Sequence, residues 1–214
     1  MIFPLLSISI SILVSYLIGS IPFAYIYGKV FKGIDIRNFG SGNIGATNVL
    51  RILGTKAGIT VMLLDMIKGF IPVFLVLEVF QWNLQFSWLP VVIGISAIIG
   101  HTFTIFLLFK GGKGVATAAG VFLALSPLVF LVALCLFILI VAFTKYVSLG
   151  SIFASLFLLV THLISYDPNN PFVLYFTVIV TFFIILKHKS NISRLIKGTE
   201  NKISFKKKTD GENK

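Results

Sequence analysis

The chain has 214 residues, 57% of them hydrophobic and only 12% charged, with a mean hydropathy of +1.01. A soluble globular protein carries about 25% charge, so a separate water-facing domain is excluded. The net charge of +11 lies in loops beside apolar runs, where Lys and Arg set membrane orientation, and nucleic acid is excluded as a partner on that ground.

The first apolar run, Ile2 to Tyr27, has Pro22 near its end and no basic residue before it, whereas Lys29 and Lys32 follow it. A signal peptide has the opposite polarity, so this run reads as a first span with its N-terminus outside. Gly28 to Lys56 is polar, with five Lys/Arg against one acid, Asp35. Span 2 is expected from Gly58 to Phe80. Gln81 to Ser87 is a short loop without a basic residue, and span 3 follows from Trp88 to Phe109. Next come KGGKG, Lys110 to Gly114, and an apolar stretch from Val115 to Thr144 interrupted at Pro127. A further span runs from Leu149 to Tyr166. The loop Asp167 to Pro171 has one acid and no base, the last span ends near Leu186, and the tail carries nine Lys/Arg against three acids.

The basic segments are Gly28 to Lys56, KGGKG, Lys145 and the tail, and the positive-inside rule puts all four in the cytoplasm. Val115 to Thr144 therefore starts and ends inside. Its thirty residues reach about 45 Å as helix, less than two crossings of a core about 30 Å thick. Two short central helices meeting near Ser126 and Pro127 are expected. The predicted fold is an all-α integral membrane protein of seven membrane helices, N-terminus outside and C-terminus cytoplasmic. Residues 1–200 form a single polytopic domain and residues 201–214 a basic cytoplasmic tail, with Lys202 to Lys208 against anionic lipid. Cys135 is the sole cysteine, so no intrachain disulfide forms. No His/Cys cluster has metal-ligand spacing, and neither a metal nor a cofactor is expected.

Three cytoplasmic segments are richer in glycine and polar residues than connectors need. Asn38 to Arg51, NFGSGNIGATNVLR, has three glycines and three asparagines together with Ser41, Thr47 and Arg51. Glycine lets backbone N–H groups converge on an oxyanion, and an arginine fork matches phosphate. Lys110 to Thr117, KGGKGVAT, resembles a phosphate-binding P-loop only superficially, because Lys113 is followed by Gly114 rather than Ser or Thr. Nucleotide hydrolysis is rejected, yet flexible backbone donors, Lys113 and a following helix start all favour an anion. In His188 to Arg194, HKSNISR, helical spacing puts His188, Asn191 and Leu195 on one face. Asp65 and Lys68, three apart within span 2, read as a structural ion pair.

Together these segments resemble the acyl-phosphate-dependent glycerol-3-phosphate acyltransferases, the PlsY family. The resemblance rests on GSIPFAYIYGK near Gly19, DIRNFGSGNIGATNVLR at Asp35 to Arg51 and LDMIKGFIPV at Leu64 to Val73. It continues with GHTFTIFLLFKGGKGVAT at Gly100 to Thr117, YVSLGS at Tyr146 to Ser151 and HKSNISRLIKGTE at His188 to Glu200. It implies an active site at the cytoplasmic face of the cell membrane, with no dependence on acyl-CoA or acyl carrier protein. Carried over motif by motif, it implies catalytic roles for Ser41, Lys113, His188 and Asn191. It implies substrate binding by Asn43, Thr47, Asn48, Arg51, His101, Lys110, Gly111, Gly112, Ser148 and Ser151. The chain departs from the family at Thr104, where proline is usual, which is expected to loosen the turn there. It also has Lys189-Ser190 in place of Arg-Glu, leaving no acid directly after His188.

The reaction so implied joins a fatty acyl phosphate to glycerol 3-phosphate, giving 1-acyl-glycerol 3-phosphate and phosphate, the first acylation of phospholipid synthesis. Expected partners are those two substrates, the bilayer and an enzyme that produces acyl phosphate. An acyl phosphate is already activated, so direct attack by the glycerol hydroxyl is expected. Backbone amides with Ser41 or Asn191 would hold the oxyanion, and either His188 or a substrate phosphate would take the proton. A transporter that only binds an organophosphate, and a non-catalytic scaffold, are the alternatives. His162 and Asp167 have the HX4D spacing of a large class of glycerolipid acyltransferases. They fall at the outer end of a span, away from any basic or glycine-rich loop, and are read as coincidence.

Overall fold

The computed structural model describes residues 2–80 and 86–203, so the loop expected from Gln81 and most of the tail lie outside the described residues. The regular elements among the described residues are all helices, with no strand. Pro22 lacks an N–H and biases the residue before it away from helix, and it divides the first expected span. The result is α1 (Ile2–Ser20) and α2 (Phe23–Lys32), bent by 40° at the break. After a short loop come α3 (Ala46–Leu53), α4 (Thr55–Phe80) and α5 (Leu89–Thr102).

Val115 to Thr144 breaks at Ser126 and Pro127 as expected, but unequally. α6 (Val115–Leu125) has 11 residues and α7 (Pro127–Thr144) has 18. Only the first of the two central helices is short: Ser126 ends α6, and Pro127, a few residues before the middle of the stretch, starts α7 at its favoured first position. α6 is about 16 Å long and α7 about 27 Å. α8 (Val147–Ile164), α9 (Phe172–Lys187) and α10 (Lys189–Ile196) complete the chain. The last helix does not continue α9; the two bend by 57° at His188. Four helices are individually long and apolar enough to cross a membrane, the two bent pairs bring the number to six, and α6 is shorter.

Two helix pairs hold the bundle at close range. Gly19 of α1 lies on Ala97 of α5, and Gly100 of α5 lies on the carbonyl of Tyr16. In the second pair, Gly120 of α6 meets the Met66 carbonyl of α4, and Gly69 of α4 meets the Thr117 carbonyl. A methyl group at any of these would collide with backbone, so small residues set the approach, as is usual between membrane helices. The α1–α5 contact is tied by hydroxyls. Ser15 Oγ donates to the Ile93 carbonyl and Ser96 Oγ to that of Ile12, each at 2.8 Å. Thr104 Oγ1 donates to the Ser20 carbonyl at 2.6 Å, so the turn expected to be loose is pinned. Phe122, Phe176, Leu89 and Val73 fill the centre. Asp65 and Lys68 pair at 2.7 Å, as their spacing predicts.

The polar ends of the helices converge. Arg51 of α3 donates to the Asn201 carbonyl at 3.0 Å, and the Ile203 N–H donates to the Lys145 carbonyl at 2.9 Å. These contacts fold the chain after α10 back against α3 and the turn between α7 and α8.

Candidate active site

The first wall is the loop before α3. Gly40 and Gly42 have φ of 60° and 70°, left-handed values that glycine adopts without strain. Asn48 holds the loop from beneath. Its Oδ1 accepts the Ser41 N–H at 2.9 Å, and its Nδ2 donates to the Phe39 and Ile36 carbonyls at 3.0 and 3.2 Å. That side chain is 2% exposed and fully engaged, so its geometry is that of a brace rather than of a ligand-facing group. Gly45, Ala46 and Thr47 bring the start of α3 to the site, and Arg51 lies one turn further on.

The second wall is KGGKG. Its glycine spacing predicts N–H groups open to an anion, but the fold turns two of them inward. Gly111 N–H donates to the Thr102 carbonyl at 3.0 Å and Gly112 N–H to the His101 carbonyl at 3.1 Å. Neither position has room for a Cβ, because Gly111 lies on those carbonyls and Gly112 on the His101 ring. What the loop presents is Lys113 and, after Gly114 at φ 83°, the start of α6. The unpaired N–H groups and dipole of a helix start favour negative charge.

The third wall is the bend between α9 and α10. Leu195 is half-buried and does not line the site, since the bend at His188 breaks the continuous face that the spacing suggested. His188 and Asn191, 3% and 5% exposed, both line it. His188 Nδ1 lies 2.8 Å from the Ile184 carbonyl, which assigns the proton to Nδ1 and leaves Nε2 as an acceptor. Asn191 Oδ1 accepts from Lys113 Nζ, and Asn191 Nδ2 donates to Glu200 Oε1 at 2.7 Å. Glu200 also accepts from Ser148 Oγ at 3.0 Å and from Arg194 Nε at 2.7 Å. One buried carboxylate thus ties α8, α10 and, through Asn191, the lysine loop. Ser151 Oγ is turned to the Val147 carbonyl at 2.9 Å.

These walls enclose a cavity of about 550 Å³. Arg51, Lys113, Lys187 and Arg194 stand around its polar part, while Phe122, Phe130, Leu134 and Phe137 line an apolar slot between α6 and α7. Burial lowers Lys113 to about 8, with Arg194 and Arg51 adding to the fall and Glu200 opposing it. Burial also brings His188 down to about 4, reinforced by the Lys113 charge, so its ring is neutral at pH 7. Burial lowers Arg51 as well, against the pull of Glu200. Burial works to raise Glu200, but hydrogen bonds from Asn191, Arg194 and Ser148 outweigh it and hold the carboxylate below its ordinary range.

Of the residues singled out by sequence, Ser41, Asn43, Thr47, Asn48, Arg51, His101, Gly111, Gly112, Lys113, Ser148, Ser151, His188 and Asn191 all line this cavity. Lys110 is exposed and does not. Glu200 and Arg194 were missed. A signal existed, since Glu200 is the only acid between Asp167 and Asp210 and ends a motif that drew notice. His162 and Asp167 keep other company. His162 meets the Leu158 carbonyl at 2.9 Å and Ser126 Oγ at 3.0 Å, and Asp167 caps the Asn169 N–H at 2.8 Å.

A profile of the family described as glycerol-3-phosphate acyltransferase matches residues 9–198. A glycerol-3-phosphate acyltransferase of Fusobacterium nucleatum subsp. nucleatum is 48% identical over 194 residues, 91% of this chain and 97% of that protein. One of Trichlorobacter lovleyi is 50% identical over 188 residues, 88% of this chain and 93% of that protein. The fold is similar to the crystal structure of PlsY (YgiH), an integral membrane glycerol 3-phosphate acyltransferase, in its glycerol 3-phosphate form. The TM-score is 0.85 and the identity 40%, over 92% of this chain and 96% of that one. The lysophosphatidic acid form matches at a TM-score of 0.82 and 39% identity, over 93% and 96% of the two chains.

Proposed function

The chain belongs to the glycerol-3-phosphate acyltransferase family and is a membrane acyltransferase, and on that premise we propose that its acyl donor is a fatty acyl phosphate. The observation that carries this reading is one continuous cavity that joins Arg51 and Lys113 to an apolar slot lined by Phe122, Phe130 and Phe137. Two phosphates held side by side need several cations and helix starts, which the starts of α3 and α6 supply. An acyl chain needs an apolar channel, and the slot supplies it.

The glycerol 3-phosphate hydroxyl oxygen attacks the acyl carbon, the bond from that carbon to the phosphate oxygen breaks, and inorganic phosphate leaves. The products are 1-acyl-glycerol 3-phosphate and phosphate. Lys113 and Arg51 bind the phosphates, and Asn191 aims Lys113. Ser41, Asn43 and Thr47 hold oxygens at the rim, with Ser148, Ser151 and the Gly111–Gly112 backbone shaping the wall. The hydroxyl proton passes to a substrate phosphate oxygen. A phosphate monoester has its second pKa near 6, close to working pH, whereas His188 at about 4 is mismatched as a base. His188 then orients substrate through Nε2.

We place seven membrane elements in the bilayer, with α6 a half-depth helix, the N-terminus outside, and the cavity and C-terminus cytoplasmic, by the charge of the loops. The cell membrane is the expected location, and a reaction that forms acyl phosphate must supply the donor. Purified protein with labelled glycerol 3-phosphate, given palmitoyl phosphate, palmitoyl-CoA or palmitoyl acyl carrier protein in turn, tests the donor. Lysophosphatidate with equimolar phosphate is expected from the first alone. Product from a thioester without acyl phosphate overturns the donor assignment.

A further inference from the structure

Behind the KGGKG loop lies a buried run of ionisable side chains without a role in the chemistry above. Asp65, Lys68 and His101 are 2%, 3% and 6% exposed. Lys68 Nζ donates to the Ile21 carbonyl at the break between α1 and α2, at 2.8 Å. Toward Asp65 Oδ1 it is a charge at 2.7 Å without hydrogen-bond geometry. The same Asp65 oxygen lies 3.6 Å from His101 Nδ1, longer than a hydrogen bond, and acts on that edge of the ring as a close buried charge. On the opposite edge of the ring, Nε2 abuts Gly112, where a methyl group would run into it. The His101 carbonyl also takes the Gly112 N–H. Gly112 is the residue before Lys113.

We propose that Asp65 is a positioning residue for Lys113: it fixes the His101 ring, and that ring, with its own carbonyl, sets where Gly112 and therefore the Lys113 backbone stand. The proposal rests on the reading of Lys113 as a phosphate ligand. Packing stability alone does not account for the pair. Taking two charges out of water offsets most of their attraction, and an apolar pair of similar volume usually serves a buried site as well. Asp65 and His101 both reach the cavity wall, whereas Lys68 is reached from the far side, at the helix break. The run Ile21, Lys68, Asp65, His101, Gly112 thus ties the first helix to the phosphate loop. His101, read from sequence as a substrate ligand, here acts on the loop instead.

The test uses the full chain in detergent. Asp65→Leu or Lys68→Met alone leaves a buried charge unpaired and lowers the unfolding temperature, and the double substitution restores it. With the double variant, kcat/KM for glycerol 3-phosphate stays about 10- to 100-fold below the parent, the scale of a misplaced binding group. Inorganic phosphate affinity by calorimetry falls as it does in Lys113→Ala. A double variant that recovers stability and also comes within about two-fold of parental kcat/KM overturns the proposal. His101→Asn, which keeps an N–H near the Nδ1 position, and His101→Leu provide a second comparison. The first is expected to retain most phosphate affinity and the second to lose it; equal affinities overturn the proposal. Absence of lysophosphatidate from the parent overturns only the acyl-transfer reading, because phosphate affinity is read without turnover.

Discussion

Lys113 donates its ammonium to the side-chain carbonyl of Asn191, a residue 78 positions away. The bond joins a glycine-rich loop to a short helix beyond the last long one, and it fixes the direction of the only lysine in the loop that faces the cavity. Asn191→Ala removes the acceptor and leaves Glu200 short of one donor. The expected result is a fall in kcat/KM for glycerol 3-phosphate of about 10- to 100-fold, most of it in KM. Initial rates against glycerol 3-phosphate concentration check it; an unchanged KM contradicts this role for Asn191.

The pH profile follows from Lys113. Burial, then Arg194 and Arg51, hold it at about 8, so it is cationic below that pH and neutral above it. Phosphate binding needs the cation. In the free enzyme, kcat/KM for glycerol 3-phosphate is therefore expected to fall above pH 8, about tenfold per unit for one lost proton. Lys113→Arg stays charged throughout this range. Its overall rate drops because the fork does not fit a point-charge site, but the alkaline limb disappears from a profile taken between pH 7 and 10.

His188 separates two proton routes. With its ring held at about 4, His188→Ala is expected to lower kcat by about tenfold or less, while Lys113→Ala lowers kcat/KM by about 1000-fold or more. Single-turnover rates at pH 7 decide the matter. A His188→Ala loss as large as that of Lys113→Ala makes His188 the base.

Glu200 carries a stability prediction. Its carboxylate collects Ser148, Asn191 and Arg194, and Glu200→Gln is expected to lower the unfolding free energy by about 2 kcal/mol, the scale of a lost charged hydrogen bond. Its folded pKa is depressed, so its contribution is present above the ordinary carboxylate range and is lost as pH falls through that range toward the folded value. Thermal unfolding midpoints of parent and variant should converge in acid. A constant gap down to pH 3 contradicts the assignment.

Hydropathy, loop charge and turn residues were enough to read the apolar runs, the break at Pro127 and three polar segments, because each depends on residues close in sequence. The unequal division into α6 and α7 was within reach of the same data, since 12 residues of the stretch precede Pro127 and 17 follow it. The bend at His188 was not. No proline or glycine marks it, and helical spacing alone carried the face on to Leu195.

Composition and local spacing make this a membrane protein of apolar helices and set which motifs hold its cations and glycines. Which groups face the cavity depends on how the helices pack. Gly111 and Gly112 turn their N–H groups to carbonyls of α5, Asn48 braces its own loop, and Lys110 stays outside. Glu200 becomes the centre of the third wall because α8 and α10 bring Ser148, Asn191 and Arg194 to it. A buried polar group must find its partner wherever the packing puts one, and that choice is made between helices.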